Sequence, residues 1–302
     1  MKIGVVGIGA MGAPMARNLA QGGDSVLAFD VAPEKVNAIA GNGVERAGAL
    51  ADIARECELI VLMTPDDKAL RDVMRGNGGI LSVGSFSGCV VDLSTTSENL
   101  AREIGAAAAA QGVGYLDGAV IGGSVAAARN AASPVVVSGD EALLERYRHV
   151  LERLGSVDYA GVQGNAKIVK ICNNLLLGMH TVSGAEALSV GEAAGLTLED
   201  MVAWLDVSSG NTAAMQVMFG YFVEHGTFPE GNASFKFFDK DMALGCALAE
   251  RQDYPASLAL LTRELLATAA QMEGAGAPFA SILAYYRTMQ RAVAGGDEPS
   301  SA

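Results

Sequence analysis

Two rhythms of apolar residues divide the chain. Over the first 160 residues, short and nearly unbroken apolar runs alternate with stretches whose apolar residues recur every three or four positions. The runs fall at 3–6, 25–29, 59–63 and 89–93, with shorter candidates at 115–116 and 134–137. Apolar strands separated by helices predict a parallel sheet covered on both faces. Helices are predicted over 10–21 and again from Pro33, where proline suits a first helical turn. Beyond residue 160 the strand rhythm stops. Residues 165–194 predict one long helix, apolar on nearly every side through Ile168, Ile171, Leu175, Met179, Val182 and Leu188, and expected to be buried. More helices are predicted over 199–207, 211–224, 234–251, 255–273 and 278–293, and a disordered tail over 295–302. The expected architecture is an α/β domain, 1–161, followed by an all-α domain, 162–294.

The turn after the first run changes this from a fold to a site. Gly7-Ile8-Gly9-Ala10-Met11-Gly12 lies between a strand and a helix. Gly7 suits a tight turn, Gly9 the approach of a pyrophosphate to the backbone, and Gly12 close packing of helix on strand. The N–H groups and dipole of the helix start favour an anion there. The second run ends at Asp30, 18 residues past Gly12, where a carboxylate suits an adenosine ribose and repels a 2′-phosphate. The nearest cation downstream is Lys35. These residues predict a Rossmann-type dinucleotide site, with NAD preferred to NADP and with Gly7, Ile8, Gly9, Ala10, Met11, Gly12 and Asp30 on the cofactor. An acid at that point is also a common helix cap.

Composition removes other function classes. The 302 residues are 50% hydrophobic and carry a formal net charge of −13. An acidic chain without a basic block is a poor partner for nucleic acid or an anionic membrane. Cys57, Cys89, Cys172 and Cys246 show no C-x-x-C spacing, so neither a zinc site nor a redox motif is expected, and the thiols are expected reduced and buried. Glycines at 4, 7, 9 and 12, with Arg17 and Asn18, break the apolar N-terminus and argue against a signal peptide. No stretch elsewhere reaches the roughly 20 apolar residues of a membrane span, and a soluble cytoplasmic protein is expected. His149, His180 and His225 lie far apart and form neither a metal motif nor a catalytic triad.

A second cluster of chemistry lies on the long helix. Lys170 and Asn174 are four residues apart and share one face. A lysine on an apolar helix must be paired or have its pKa lowered, and a lowered pKa makes it an acid–base group near neutrality. Lys170 would then give a proton to a carbonyl oxygen as hydride reaches carbon, or take it back in the reverse direction. Asn174 would orient the oxygen or the lysine. Lys167, three residues earlier, is expected to face solvent. Gly122 and Gly123 could form a small nest of N–H groups for a carboxylate.

Taken in order, several segments resemble the β-hydroxyacid dehydrogenases, the group that includes 3-hydroxyisobutyrate dehydrogenase and tartronate semialdehyde reductase. They are residues 7–19, Met63-Thr64-Pro65, Asp92-Leu93-Ser94-Thr95, the stretch 117–123, the stretch 164–174, and 235–241 ending Lys240-Asp241. The resemblance covers nearly the whole chain. It implies that Thr64, Pro65, Thr95 and Lys240 touch the cofactor, that Lys170 and Asn174 are catalytic, and that Ile121, Gly122, Gly123, Lys170 and Asn174 meet a small carboxylate substrate. The chain departs from the family at Ile121, which stands in place of a carboxylate-holding serine, at Ala119 for a proline, and at Ala166 for a glycine. The implied function is hydride transfer between NAD(P) and a small β-hydroxy acid or its semialdehyde. An imine or ketone reductase on the same scaffold and a non-catalytic NAD-binding protein are the alternatives. No metal is expected, and the apolar helical half predicts a homodimer or homotetramer.

Overall fold

The computed structural model describes residues 1–122, 125–229 and 233–293, and the chain falls into two compact units, Met1–Lys170 and Ile171–Ala302. Among the described residues, the first unit contains β1 Lys2–Val6, β2 Ser25–Phe29, β3 Val44–Arg46, β4 Leu59–Leu62, β5 Cys89–Asp92, β6 Gly114–Val120, β7 Val135–Ser138 and β8 Val157–Tyr159. They form one sheet in the order β3-β2-β1-β4-β5-β6-β7-β8. Every neighbouring pair is parallel except β6 with β7. The helices of this unit are α1 Gly12–Gln21, α2 Pro33–Asn37, α3 Leu50–Glu56, α4 Asp67–Arg75, α5 Glu98–Ala109, α6 Val125–Arg129 and α7 Glu141–Leu151.

The apolar runs become strands because both faces of the sheet are covered. In β4, Leu59 and Val61 join a core with Ile3, Val5, Met15 and Leu19, while Ile60 and Leu62 join another with Ile53, Leu70, Val90 and Ile104. That is the period-two alternation of a strand with an apolar layer on each side. Each such side chain contributes about 1.5–3 kcal/mol of burial.

The order of the strands positions the site. The chain turns outward in opposite directions from β1 and β4, and in open α/β sheets ligands bind at that switch, beyond the carboxyl ends of the strands. β1 ends at Val6 and β4 at Leu62, which are register partners, and Met63 N–H donates to Val6 O at 2.8 Å. Leu93 N–H, just past β5, donates to Leu62 O at 2.9 Å. The segments singled out at 7–12, 63–65, 92–95 and 120–122 thus all leave the same edge of the sheet.

Helix α8, Asn165–Ala193, begins in the first unit and continues into the second. The second unit also contains α9 Leu198–Asp206, a π-helical turn Met215–Gly220 leading into α10 Tyr221–His225, α11 Phe235–Arg251, α12 Ser257–Glu273 and α13 Ile282–Val293. The helix expected over 211–224 therefore exists, with a π turn in its middle. The core of this unit includes Val182, Leu188, Phe219, Phe238, Met242, Leu266 and Phe279. A Cβ on Gly178 would lie 2.7 Å from Met242 Sδ and 2.8 Å from the Phe238 ring, so glycine is what lets α11 approach α8 there.

Two expectations need correction. α8 is not buried all round: Ile171, Val182 and Leu188 are buried, but Val169, Leu176 and Val190 are 40%, 51% and 65% exposed. These positions lie 7 and 14 residues apart, with the polar Ser183 between the last two, and are exposed among the described residues. The four thiols are free, as expected, but Cys172 on that helix is exposed and Cys246 is half-buried. The expected tail at 295–302 lies outside the described residues, and so does Gly123. Among the described residues no helix is long and apolar enough to cross a membrane, and no group of side chains is arranged to hold a metal ion.

Candidate active site

The glycine turn is tight at its ends and open in its middle. Gly7 has φ +94°, and a Cβ there would lie 2.3 Å from Met63 O. A Cβ on Gly12 would lie 1.9 Å from Gly7 O, whereas a Cβ on Gly9 would meet nothing within 4 Å. Positions 7 and 12 are therefore glycine because the protein itself occupies the space. Position 9 faces open space in front of α1, whose first turn is closed by the Ala13 N–H donating to Gly9 O at 3.0 Å and the Met15 N–H to Met11 O at 3.3 Å. Gly9 and Ala10 are exposed, Met11 is half-buried and Ile8 is buried. With open space at Gly9 and exposed backbone at Gly9 and Ala10, the residues present fit a dinucleotide.

Asp30 closes the turn from the side. Its Oδ2 accepts the Ile8 N–H at 2.8 Å and its Oδ1 accepts the Ala32 N–H at 2.9 Å. Lys35 Nζ stands 3.4 Å from Oδ1. Asp30 is thus a loop anchor rather than a helix cap, since the N-cap of α2 is Ala32, and its Oδ2, with one donor, keeps acceptor capacity for a ribose hydroxyl. The next loops are coupled to one another: the Thr64 N–H and hydroxyl both donate to Ser94 Oγ, at 2.8 and 2.9 Å. Pro65 beside Thr64 is exposed, and Thr95 beside Ser94 is half-buried. After β6, the Ile121 N–H donates to Pro134 O at 2.9 Å, so it is unavailable to a carboxylate. Gly122, with φ +66° and open space around it, is the described member of the expected anion nest.

Below these loops lies a buried polar network that begins α8. Asp117 accepts the Gly164 N–H through Oδ1 and the Ser138 hydroxyl through Oδ2, both at 2.8 Å, and Ser138 Oγ accepts the Ala166 N–H at 3.0 Å. Burial pushes the Asp117 carboxyl up from the usual carboxylate value, against the opposing pull of Gly164 N–H, Lys167 and Ser138. Lys167 is wholly buried, which overturns its expected solvent-facing place. Its ammonium donates to Asp92 O at 2.9 Å, Ser94 O at 2.7 Å and Gly118 O at 2.9 Å, with Asp92 Oδ2 also at 2.9 Å. A lone lysine on a surface-length stem defaults to snorkelling outward, but four converging oxygens hold this one inside.

One turn later on the same helix, Lys170 is half-buried. In the second unit, Asn174 is 4% exposed and its amide is oriented from both sides. Its Nδ2 donates to Asp241 Oδ2 at 2.7 Å, and its Oδ1 accepts from Asn173 Nδ2 at 3.0 Å. Lys240 pairs with the other oxygen of Asp241 at 2.8 Å. The structure therefore brings Lys240 to Asp241 and Asp241 to Asn174. Asp241 was visible in the sequence only as a neighbour of Lys240 and Asp117 only as the first residue of the 117–123 stretch, while Ser138 carried no signal.

Known dehydrogenases are similar to this chain over nearly its whole length. Residues 2–169 match the model of the NAD-binding domain of 6-phosphogluconate dehydrogenase. Residues 164–286 match that described as NAD-binding of NADP-dependent 3-hydroxyisobutyrate dehydrogenase. The chain is 32% identical over 266 residues to 2-(hydroxymethyl)glutarate dehydrogenase of Eubacterium barkeri, covering 88% of each chain. It is 32% identical over 296 residues to 3-hydroxyisobutyrate dehydrogenase of Pseudomonas aeruginosa, covering 94% of this chain and 98% of that one. Among solved structures, 3-hydroxyisobutyrate dehydrogenase of Mycobacterium tuberculosis with L-serine superposes with a TM-score of 0.85 at 27% identity, over 95% of this chain and 99% of that one.

Proposed function

The chain belongs to the β-hydroxyacid dehydrogenase family, and from that premise we propose how its residues work. It is an NAD(P)-dependent oxidoreductase acting on the CH–OH group of a small hydroxy acid. The observation that carries the mechanism is the pair Lys170 and Asn174, one turn apart on α8, with the Asn174 amide held by Asp241. The nicotinamide ring supplies the hydride acceptor or donor when bound. In oxidation, Lys170 Nζ removes the hydroxyl proton. In reduction it returns that proton to the carbonyl oxygen. The second N–H of Asn174 donates to the same oxygen and sets its distance from Lys170. Proton transfer of this kind contributes about 10²–10⁴-fold in rate.

On the cofactor side, Gly7, Ile8, Gly9, Ala10, Met11 and Gly12 take the pyrophosphate, Asp30 the adenosine ribose, and Thr64, Pro65, Thr95 and Lys240 the remainder. NAD is the preferred cofactor because Asp30 puts a carboxylate where NADP carries phosphate. On the substrate side, the Gly122 and Gly123 backbone receives the carboxylate. Ile121, which offers neither hydroxyl nor free N–H, faces an apolar substituent. Residues 1–161 act as the dinucleotide-binding domain, and 162–294 carry substrate binding and subunit association. The exposure of Val169, Leu176 and Val190 supports a homodimer or homotetramer, and four free thiols fit a reducing cytoplasm. The test is a panel of 3-hydroxyisobutyrate, 2-(hydroxymethyl)glutarate and L-serine, each with NAD and NADP, followed by absorbance of the reduced cofactor. Turnover of at least one with NAD ahead of NADP is expected. Tight NAD binding with no turnover of any would overturn the reading.

A further inference from the structure

Lys167 is a charge with no place in the reaction just described, and it is the most completely buried lysine of the chain's first unit that the described contacts define. An ammonium out of water must be met by acceptors, and here it meets them at one point of the fold. Asp92 ends β5, Ser94 lies in the loop that follows it, and Gly118 belongs to β6. These residues lie 75, 73 and 49 positions before Lys167 in sequence. Asp92 Oδ1 also accepts the Ser94 N–H at 3.0 Å, and Asp92 Oδ2 accepts the Tyr115 hydroxyl at 3.1 Å, so the acceptor cluster is itself rigid. Ser94 Oγ takes both donors of Thr64. Through Lys167, the first turn of α8 is tied to the Thr64 and Ser94–Thr95 loops at once.

We propose that Lys167 is a positioning residue for the dehydrogenase reaction: it fixes the rotation and height of α8 over the ends of β5 and β6, and so fixes where Lys170 presents its amine. The inference rests on the reading of Lys170 as the acid–base group. Lys167 cannot exchange a proton with substrate itself, because it is shut off from solvent and its three N–H donors face oxygens of the protein. The other anchors of the helix start, Asp117 on Gly164 N–H and Ser138 on Ala166 N–H, hold its backbone and leave the direction of the cofactor loops to Lys167. Lys167 and Lys170 are three residues apart, so any turn or slide of the helix moves both. A misplacement near 1 Å at a reacting group can cost about 10²-fold in rate.

The test uses the full-length protein with two variants, Lys167→Met and the double variant Lys167→Met/Asp92→Asn. The double variant removes both charges of the buried pair and so avoids a stranded carboxylate. The first readout is hydrogen exchange without cofactor. Faster exchange confined to residues 93–96 and 164–172 is expected in the double variant, with the rest of the sheet unchanged. The second readout is turnover of the best substrate of the panel. The kcat is expected to fall tenfold or more while the KM for NAD moves less than threefold, and the double variant is expected to recover melting temperature without recovering kcat. Unchanged exchange at 164–172, or a kcat that returns with melting temperature, overturns the proposal and leaves Lys167 a stabilising residue only. A Lys170→Ala control separates the two claims. If it keeps turnover, the acid–base reading fails; if it loses turnover while Lys167→Met keeps it, the positioning proposal alone fails.

Discussion

Three alanine substitutions in the glycine turn should have two different outcomes, and the difference can be worked from space and backbone conformation. At Gly12, the new Cβ would sit 1.9 Å from Gly7 O, well inside contact distance, so α1 must move off β1. Overpacking of that kind costs about 1–3 kcal/mol. At Gly7, the Cβ would lie 2.3 Å from Met63 O, and the residue also has φ +94°. Left-handed backbone adds about 1–2 kcal/mol for a residue with a Cβ. Both variants should lose stability before any ligand is added. At Gly9 the Cβ meets nothing within 4 Å, so Gly9→Ala should melt with the unaltered protein. It should nonetheless bind NAD more weakly, because the methyl stands where the pyrophosphate must approach the amides. A charge-assisted hydrogen bond is worth about 1.5–3 kcal/mol, and each 1.4 kcal/mol is about tenfold in affinity. The expected loss is therefore about 10- to 100-fold in Kd. Thermal unfolding and calorimetric titration with NAD, on all three proteins, make the comparison. A Gly9→Ala protein with unaltered NAD affinity would refute the assignment of the turn to the pyrophosphate.

Other substitutions probe the remaining links. Asp241→Ala should free the Asn174 amide and lower kcat about tenfold, while Asp241→Asn, which keeps an acceptor, should retain most of it; equal losses in steady-state assays would contradict the orienting role. Asp30→Asn should raise kcat/KM for NADP relative to NAD by roughly tenfold, since repulsion of a 2′-phosphate is removed; an unchanged ratio would count against NAD selection by charge. The raised Asp117 carboxyl predicts a pH effect. In the folded protein the proton is held to higher pH than in the unfolded chain, so this stabilising contribution is full below the ordinary carboxylate value and is lost as pH rises through the raised one. Urea midpoints across that window should fall more with pH in the unaltered protein than in Asp117→Asn, and parallel slopes would contradict the assignment.

How much of this was legible in the sequence depends on how local each signal is. β4 was legible because burial on both faces leaves four apolar residues in a row. β3 and β8 were not, because each is a three-residue edge strand with only one residue turned from solvent, and Val-Glu-Arg and Val-Asp-Tyr owe their conformation to the neighbouring strand. The glycine turn carries its own geometry, so Gly7, Gly9 and Gly12 could be given separate tasks before any coordinates. Lys167 could not. Its burial is decided by carbonyls 49 to 75 residues away, and nothing at its own position in the sequence marks it out from an exposed helical lysine. Asn174 was found by its spacing from Lys170, whereas its partner Asp241 lies 67 residues further on and emerged only when α11 was packed beside α8.

The account turns on whether Lys170 moves the proton that accompanies hydride transfer. The most direct measurement is NAD reduction by Lys170→Ala with the substrate that the unaltered enzyme turns over fastest, beside a titration of the same variant with NAD. A fall in kcat of at least about 10²-fold with NAD affinity unchanged is the predicted result. A Lys170→Ala enzyme that turns over at close to the normal rate would contradict it.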